Sequence, residues 1–475
     1  MSDKSIIRIT RELWEIKKNA DLCMHLSTRK QFITSRGFTA KRSVFTNDLD
    51  IAIAVDYDED DMRNVRAIIL GPPETPYQFG LFEFSIKFGR EYPGNPPSVK
   101  AVTTNSGACR FLGKTTLCLV EVTPANNVRT WTGQAGEQWS SAQGLESVLI
   151  SIQSLMSANP YENEPGYEHA KSKTDEENMA HYKAKICHET IRIAVLQPLE
   201  AALGIVAGGT SEPLKNGRCI EPDYSSEDEG CINNNPFIDL RKRRFLWYYD
   251  SYVQLIDRES QKEAVAPKKP FQKMPFESSG NSMDGHFDYP ELHRRLTHLK
   301  AKILEETKNW ATRGLEAIKN ELGIAANLQR QYEQIVETLK SHKNYSIDLS
   351  LADNNPFVWK LTYFGRPTTP LEGGIIKIRI HLSTKFPEEQ PRVFVETRLS
   401  HIRVSKDGVL CYFPNRLEEM RQHVEAIVAA LEEADPPYDP RTTVNIEASK
   451  LFWGSPEDRR VYKRTLRRDI ERSVE

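Results

Sequence analysis

Residues 71–100 read GPPETPYQFGLFEFSIKFGREYPGNPPSVK, and residues 365–394 read GRPTTPLEGGIIKIRIHLSTKFPEEQPRVF. At an offset of 294 residues (365 less 71) they align without a gap. Pro73 falls on Pro367, Thr75 on Thr369, Pro76 on Pro370, Gly80 on Gly374, Pro93 on Pro387, Pro97 on Pro391 and Val99 on Val393. Chance does not register prolines in this way, so one structural unit is built twice. In each copy the Gly/Pro cluster marks a turn. The alternation that follows (Leu81, Phe82, Phe84, Ile86 and Phe88; Ile376, Ile378, Ile380 and Leu382) predicts a half-buried strand of an antiparallel meander.

Helical spacing brackets each meander. Ahead lie Ile6, Ile9, Leu13 and Ile16 in the first copy and Leu328, Tyr332, Ile335 and Leu339 in the second. Behind lie Leu145, Val148, Leu149, Ile152, Leu155 and Met156, answered by Leu417, Val424, Ile427, Val428 and Leu431. Each repeat therefore reads as helix, antiparallel strands, cysteine, helix, which is an α+β domain. Between the copies, GGTSEPLKNGRC and the acidic EPDYSSEDEG read as loop, and VAPKKPFQKMPFESSGNSMDG as a flexible connection. RFLWYYDSYVQLIDRE and the stretch from Pro290 to Lys308 read as helices; the aromatic run Phe245, Trp247, Tyr248, Tyr249 and Tyr252 is expected to dock on the first domain.

The bulk properties narrow the function classes. At 475 residues the chain exceeds one ordinary core. With 39% hydrophobic and 27% charged residues and a mean hydropathy of −0.55, it has the composition of a soluble globular protein. A net charge of −2 and a pI near 6.6 argue against a nucleic-acid coat or an anionic membrane surface, so partners are read locally. The sequence contains no apolar run of membrane-spanning length, and MSDKSIIRITREL lacks the apolar stretch of a signal peptide; a cytoplasmic or nuclear protein is expected. Seven cysteines at scattered positions, with no CxxC pair, predict free thiols and no metal site. Cys118, in KTTLCLVEV, is either a working nucleophile or a small buried apolar residue.

GPPETPYQFGLFEFSIKF, EYPGNPPSVK, RF before LCL, TWTG with the later Trp139, and SAQGLESVLISIQSLMSANPYENEPGYE together resemble the ubiquitin-conjugating enzyme (UBC) family. ICHETIRIAV, FLWYYDSYV and GHFDYPELHRRL are similar to the long C-terminal extension of its Z-type members, so that this resemblance covers roughly the first 310 residues. HIRVSKDGVLC and NIEASKLFWGSPEDRRVYKRTLRRDI resemble the cysteine segment and last helices of the same fold. The resemblance implies an α+β architecture of two UBC-like domains, each with an N-terminal helix, a four-stranded antiparallel meander sheet and C-terminal helices. A helical extension and a flexible linker join them. The expected division is a catalytic domain over 1–200, an extension over 201–310, and a second, non-catalytic domain over 311–475.

The resemblance further implies that Cys118 accepts ubiquitin or a ubiquitin-like protein as a thioester from a ubiquitin-activating enzyme, then passes it to a substrate lysine or a ubiquitin ligase cysteine. A thiol suits both steps: its thiolate is strongly nucleophilic and its thioester stays activated towards amines. No cofactor is expected, because ATP is used by the activating enzyme. Arg110 and Lys114 are candidates for lowering the Cys118 pKa, or are plain surface charges. Trp131 and Trp139 flank the site, and the basic Arg8, Arg11, Lys17 and Lys18 lie on the helix through which the family meets its activating enzyme.

The sequence departs from the family where an asparagine usually stands eight residues before the cysteine. Arg110 falls there through a shortened segment, and extra residues follow in VTPANNVR. Asn126 or Asn127 is a candidate replacement donor to the oxyanion or the adjoining loop, and equally ordinary turn material. In the second copy Arg403 takes that place, His401 precedes Cys411 by ten residues, and the tryptophan flank is missing, so Cys411 is expected to be inactive. The rival reading is a non-catalytic scaffold that binds ubiquitin or a ligase through two degenerate UBC folds. Arg241–Arg244 reads as a solvated helix end or a nuclear localisation patch, Ser225 and Ser226 as an acidic loop or a phosphate acceptor, and Cys187–His188 with Cys219 and Cys231 lack zinc spacing.

Overall fold

A computed structural model describes residues 4–22, 52–58, 61–104, 139–164, 166–205, 235–277, 283–320 and 323–475. They divide into two compact units. The described residues up to 238, together with 256–295, form the first; residues 239–255 and 296–475 form the second.

The first unit opens with helix α1 (Lys4–Leu22), followed by a meander of β1 (Ile53–Tyr57), β2 (Asn64–Leu70), β3 (Leu81–Lys87) and β4 (Ser98–Ala101) in the order β1-β2-β3-β4, all antiparallel. Helix α2 (Leu145–Ser154) comes next. Helix α3 (Lys173–Glu189) then continues through a π-helical stretch, Thr190–Leu196, into α4 (Gln197–Ala202). Helix α5 (Ile238–Ser260) has its middle in the second unit, and α6 (Tyr289–Lys319) begins in the first. The second unit repeats the plan with α7 (Gly323–Ser341), the antiparallel sheet β5 (Ile347–Ala352), β6 (Asn355–Phe364), β7 (Ile375–His381) and β8 (Arg392–Val395), then α8 (Met420–Glu432), α9 (Ile446–Phe452) and α10 (Pro456–Arg472). The α+β expectation of two four-stranded meanders with flanking helices is what forms.

The 294-residue offset holds for the starts of β1, β3 and β4 against β5, β7 and β8 and for the turn before β3 and β7. Strand β7 starts at Ile375 where β3 starts at Leu81, and the peptide bonds preceding Pro93 and Pro387 are both cis. Gly71 N–H donates to the Gly80 carbonyl at 2.8 Å, and Gly365 N–H to Gly374 at 2.9 Å. A Cβ on Gly71 would stand 1.8 Å from the Tyr77 carbonyl oxygen, and one on Gly365 would stand 1.7 Å from that of Leu371. Glycine is required in both because the hairpin folds its own backbone across that atom. One position differs: the left-handed residue closing the turn is Gly373 (φ 79°) in the second copy and Phe79 (φ 57°) in the first. Phe79 is held there with its side chain buried.

Helical periodicity places the cores correctly. Ile9, Leu13, Leu145, Leu149, Ile152 and Met156 pack on the inward residues of β2 and β3 in the first unit. Leu328, Ile335, Val424, Ile427 and Leu431 pack on Ile376, Ile378 and Ile380 in the second. Leu417 departs from its expected place: it precedes α8 and is 47% exposed. The stretch expected to be a flexible connection also differs, since its described part is packed into the first unit. Met274 and Met283 join the first core, and the Phe276 ring lies 5.2–5.5 Å from Tyr161, Tyr167 and Tyr182. Glu277 accepts from Lys185 Nζ at 2.7 Å, both side chains being buried, and from Met274 N–H at 3.0 Å. A buried carboxylate with an ion partner and a backbone donor fixes the strap's register, because breaking such a pair leaves an uncompensated charge.

Candidate active site

In the first unit the described chain stops at Thr104 and resumes at Trp139. Cys118, Arg110, Lys114, Asn126, Asn127 and Trp131 lie outside the described residues; the scaffold on either side is in view. The Trp139 Nε1–H donates to the Pro93 carbonyl at 2.8 Å, and its ring lies 6.1 Å from that of Tyr92. Tyr92 in turn donates its hydroxyl to Glu12 Oε2 at 2.7 Å, and Leu145 N–H, in the first turn of α2, donates to the same oxygen at 2.9 Å. Glu12 thus joins α1, the YPGNPP loop and the start of α2. Its charge suits an otherwise unpaired helix N-terminal amide. Gly144 makes this possible, since a Cβ there would meet the Glu12 carboxyl group at 2.9 Å. At the other end Val102 N–H donates to the Glu83 carbonyl at 2.8 Å, and the buried Glu83 side chain accepts from Arg66 and from Asn235 Nδ2.

Of the four basic residues expected at the activating-enzyme contact, two are occupied within the helix. Arg8 is half-buried in an ion pair with Glu12, and the exposed Arg11 pairs with Glu15 at 2.9 Å. Lys17 and Lys18 belong to α1, but their side chains lie outside the described set. The exposed face of the helix instead carries Ile7 and Trp14, each 56% exposed, with Arg11 between them at helical spacing. Glu12 and Trp14 were missed in the sequence. A carboxylate inside an amphipathic helix, and an aromatic off its apolar stripe, are the signals that pointed to them.

In the second unit the cysteine segment is fully in view. Leu410 and Val409 make isolated antiparallel bridges with Val404 and Phe394, and Cys411 N–H donates to the Arg403 carbonyl at 2.9 Å. The Cys411 side chain has no exposed surface, and burial pushes its thiol up to about 11 despite the nearby Arg403 and Arg244 charges. His401 is buried as well. Its Nδ1 accepts from Arg403 N–H at 3.2 Å, and burial drives its pKa down to about 3, so it stays neutral. Arg403, in the place where the family has asparagine, carries its guanidinium to Glu433.

The middle of α5 covers this segment. The Trp247 Nε1–H donates to the Leu410 carbonyl at 3.0 Å, and Tyr248 donates its hydroxyl to the Arg441 carbonyl at 2.8 Å. Arg244 lies over the Trp247 and Phe413 rings at 4.6 and 5.3 Å, and those two rings meet edge to face at 5.4 Å. Asp239 pairs with the buried Arg392 at 2.6 Å, and Lys242 pairs with Glu306 at 2.7 Å. The aromatic run, expected on the first domain, packs in the second unit. The expectation of a solvated or nuclear-localising basic run also fails: Arg241, Lys242 and Arg244 are buried. Lys242 is held by the half-buried Glu306, 64 residues away, and Arg244 by Phe413 as well as the nearby Trp247, and local composition does not reveal the distant partners. Buried Cys187, its thiol raised to about 12, lies beside His188, and among the described residues no cluster suits a metal ion.

Two antiparallel meanders, each with a leading helix and trailing helices, define an α+β fold in tandem, and in each copy a cysteine follows the fourth strand in sequence. The ubiquitin-conjugating enzyme family model matches residues 41–190 and again 327–467, and the chain belongs to that family. It is similar to human ubiquitin-conjugating enzyme E2 Z, with 34% identity over 255 residues, 52% of this chain and 58% of that protein. The Xenopus tropicalis E2 Z is also 34% identical over 255 residues, 52% of this chain and 65% of that protein. The probable ubiquitin-conjugating enzyme protein 17 of Caenorhabditis elegans is 38% identical over 158 residues, 31% of this chain and 20% of its own length. The chain thus spans less than two thirds of the E2 Z proteins it matches. Among the described residues no helix is long and apolar enough to cross a membrane.

Proposed function

We propose that the chain is a working conjugating enzyme in which Cys118 carries ubiquitin or a ubiquitin-like protein as a thioester, and in which the second copy is an accessory module. The observation that carries this reading is the contrast between the copies. Cys411 is sealed and held neutral, so the second copy has no thiolate to offer; the first copy supplies Cys118 within a family match that runs through both flanks. On loading, the Cys118 thiolate attacks the carbonyl of the activating enzyme's thioester; a new C–S bond forms, and the activating enzyme's thiolate leaves. On discharge, a substrate amine or a ligase thiolate attacks the same carbonyl, and Cys118 leaves as thiolate. Neither step calls for a metal or organic cofactor in this chain.

The scaffold reading is favoured only by the missing asparagine. A charging assay separates the two: purified chain with activating enzyme, ATP and ubiquitin, run on reducing and non-reducing gels beside Cys118→Ala and Cys411→Ala. A reducible adduct lost only in Cys118→Ala is expected; no adduct with any activating enzyme or ubiquitin-like protein makes the chain a scaffold. Asn126 or Asn127 is proposed to supply the donor lost at Arg110. Their double replacement by alanine is then expected to leave charging intact and to slow discharge to lysine by about 10²–10³-fold, the usual cost of an oxyanion donor. Unchanged discharge rules out this role for both asparagines.

A further inference from the structure

Helix α10 carries a charge pattern that its own folding does not explain. Asp458 caps its N-terminus through Ser455, Asp469 accepts from Ser400 N–H at 2.8 Å, and Arg459 is paired with Asp435. On the exposed face stand Arg460, Lys463, Arg464, Arg467, Arg468 and Arg472, against only Glu457, 4.0 Å from Arg460, and Glu471, 3.2 Å from Arg467, so Lys463, Arg464, Arg468 and Arg472 make up the excess. The local excess is four positive charges on a chain whose net charge is −2. Arg460, Arg464, Arg468 and Arg472 follow one another at i,i+4, and Lys463 and Arg467 form a parallel row. Like charges at that spacing oppose the helix. The helix dipole offers some compensation to the last turn, none to Arg460, Lys463 and Arg464.

We propose that this face binds the phosphodiester backbone of a nucleic-acid duplex. The ridge from Arg460 to Arg472 runs about 18 Å at 1.5 Å per residue. A duplex presents a negative charge about every 1.7 Å of axis, so four guanidinium groups find phosphates along the ridge without any requirement for sequence. An acidic protein segment suits the face less well. Protein interfaces place apolar and aromatic residues at their centre, and this face offers only Val461, 42% exposed. A single strand suits it less too, because no aromatic platform for bases stands among the arginines. The chain-wide charge balance, which argued against a nucleic-acid coat, averages this patch away.

The test is fluorescence polarisation of labelled 20-base-pair DNA and RNA duplexes of mixed sequence with the full chain. For four neutralised phosphates the expected slope of log K against log salt is about −3.6 on DNA, so affinity falls about 150-fold between 50 and 200 mM salt. The combined variant Arg460→Glu, Arg464→Glu, Arg468→Glu is expected to lose about 100-fold or more at 50 mM salt with no drop in its thermal midpoint. The corresponding triple lysine variant is expected to keep binding within a few-fold, a rescue that a merely structural role for these arginines does not give. Tighter binding of one duplex assigns the proposal to DNA or to RNA. No binding of either at 50 mM salt, unchanged binding by the glutamate variant, or equal affinity for polyglutamate or anionic phosphatidylserine vesicles overturns it.

Discussion

Trp247→Ala offers the sharpest test of the seal over Cys411. Trp247 is 4% exposed, donates to the Leu410 carbonyl, and packs between Arg244 and Phe413. Burying a tryptophan removes about 150–250 Å² from water, roughly 4–6 kcal/mol at 25 cal/mol per Å² and an upper bound. Measured truncations of buried Phe and Trp cost about 3–5 kcal/mol, and a carbonyl left without its donor adds about 1 kcal/mol. A loss near 4 kcal/mol is therefore expected. Because Cys411 has no exposed surface, it reacts only after opening, and where opening and closing are fast its labelling rate follows the opening equilibrium. The loss converts to about a 10³-fold faster reaction. Pulse alkylation at pH 8 with peptide mass spectrometry reads Cys411, and buried Cys187 of the first unit serves as the control on the same digest. Trp247→Phe, which keeps a ring but no N–H, is expected to accelerate Cys411 only about tenfold. Labelling of wild-type Cys411 at the rate of an exposed thiol, or a Trp247→Ala acceleration under tenfold, refutes the reasoning.

Three further outcomes follow from the geometry. Glu12→Gln replaces an acceptor of two buried donors by a group that must turn an N–H towards one of them, so a loss of about 2–3 kcal/mol is expected in the urea midpoint. Gly71→Ala and Gly365→Ala each push a methyl group into a backbone carbonyl, and both should destabilise their own copy by about 3 kcal/mol or more, read by hydrogen exchange. In the second unit His381 and His423 are depressed to about 4 and His401 to about 3, all chiefly by burial. The unfolded chain binds these protons near pH 6.5 and the folded one does not, so stability is present above pH 6.5 and is lost as pH falls towards 4. Each histidine contributes a slope of up to about 1.4 kcal/mol per pH unit, and His401→Gln should remove one such share from the pH dependence of the denaturant midpoint. A second unit equally stable at pH 4.5 and 7 contradicts the burial argument.

The repeat was legible because its punctuation is chemical. Gly71 and Gly365 are demanded by a carbonyl less than 2 Å from any added Cβ, and the alternation in β3 and β7 reports one buried face. Such signals are local, and sliding the sequence against itself finds them. The role of α5 was not legible in the same way. Trp247 meets Leu410 across 163 residues, and Asp239 meets Arg392 across 153. An aromatic run with four adjacent basic residues therefore looks like a surface feature until its partners are seen. The strap around Glu277 failed for the same reason: its prolines and lysines read as linker, while its partners lie far off in sequence, Lys185 92 residues from Glu277 and Tyr161, Tyr167 and Tyr182 against Phe276. In the second copy the cysteine segment was legible from order alone; in the first unit Glu12 was not, because its partners Tyr92 and Leu145 come from two other elements.

In the second copy the cover over the cysteine, more than the fold, sets the state of its thiol. Both copies have the meander, the Gly/Pro turn and a cysteine segment after the fourth strand. In the second, a helix supplied by the connecting segment lays Trp247 on the carbonyl of the residue before Cys411 and brings Arg244 near the thiol. A positive charge alone would lower that pKa and favour a thiolate. Burial outweighs it, leaving the thiol raised to about 11, so Arg403 and Arg244 stand beside an inert group. The same reasoning applies to Arg110 and Lys114 near Cys118. Their charge promotes the thiolate only if water also reaches the sulfur. A titration of Cys118 alkylation rate against pH, compared with Lys114→Ala, therefore measures access and charge together. An apparent pKa below about 8.5 that rises in Lys114→Ala makes the lysine an activator, and an unchanged value makes it a surface charge.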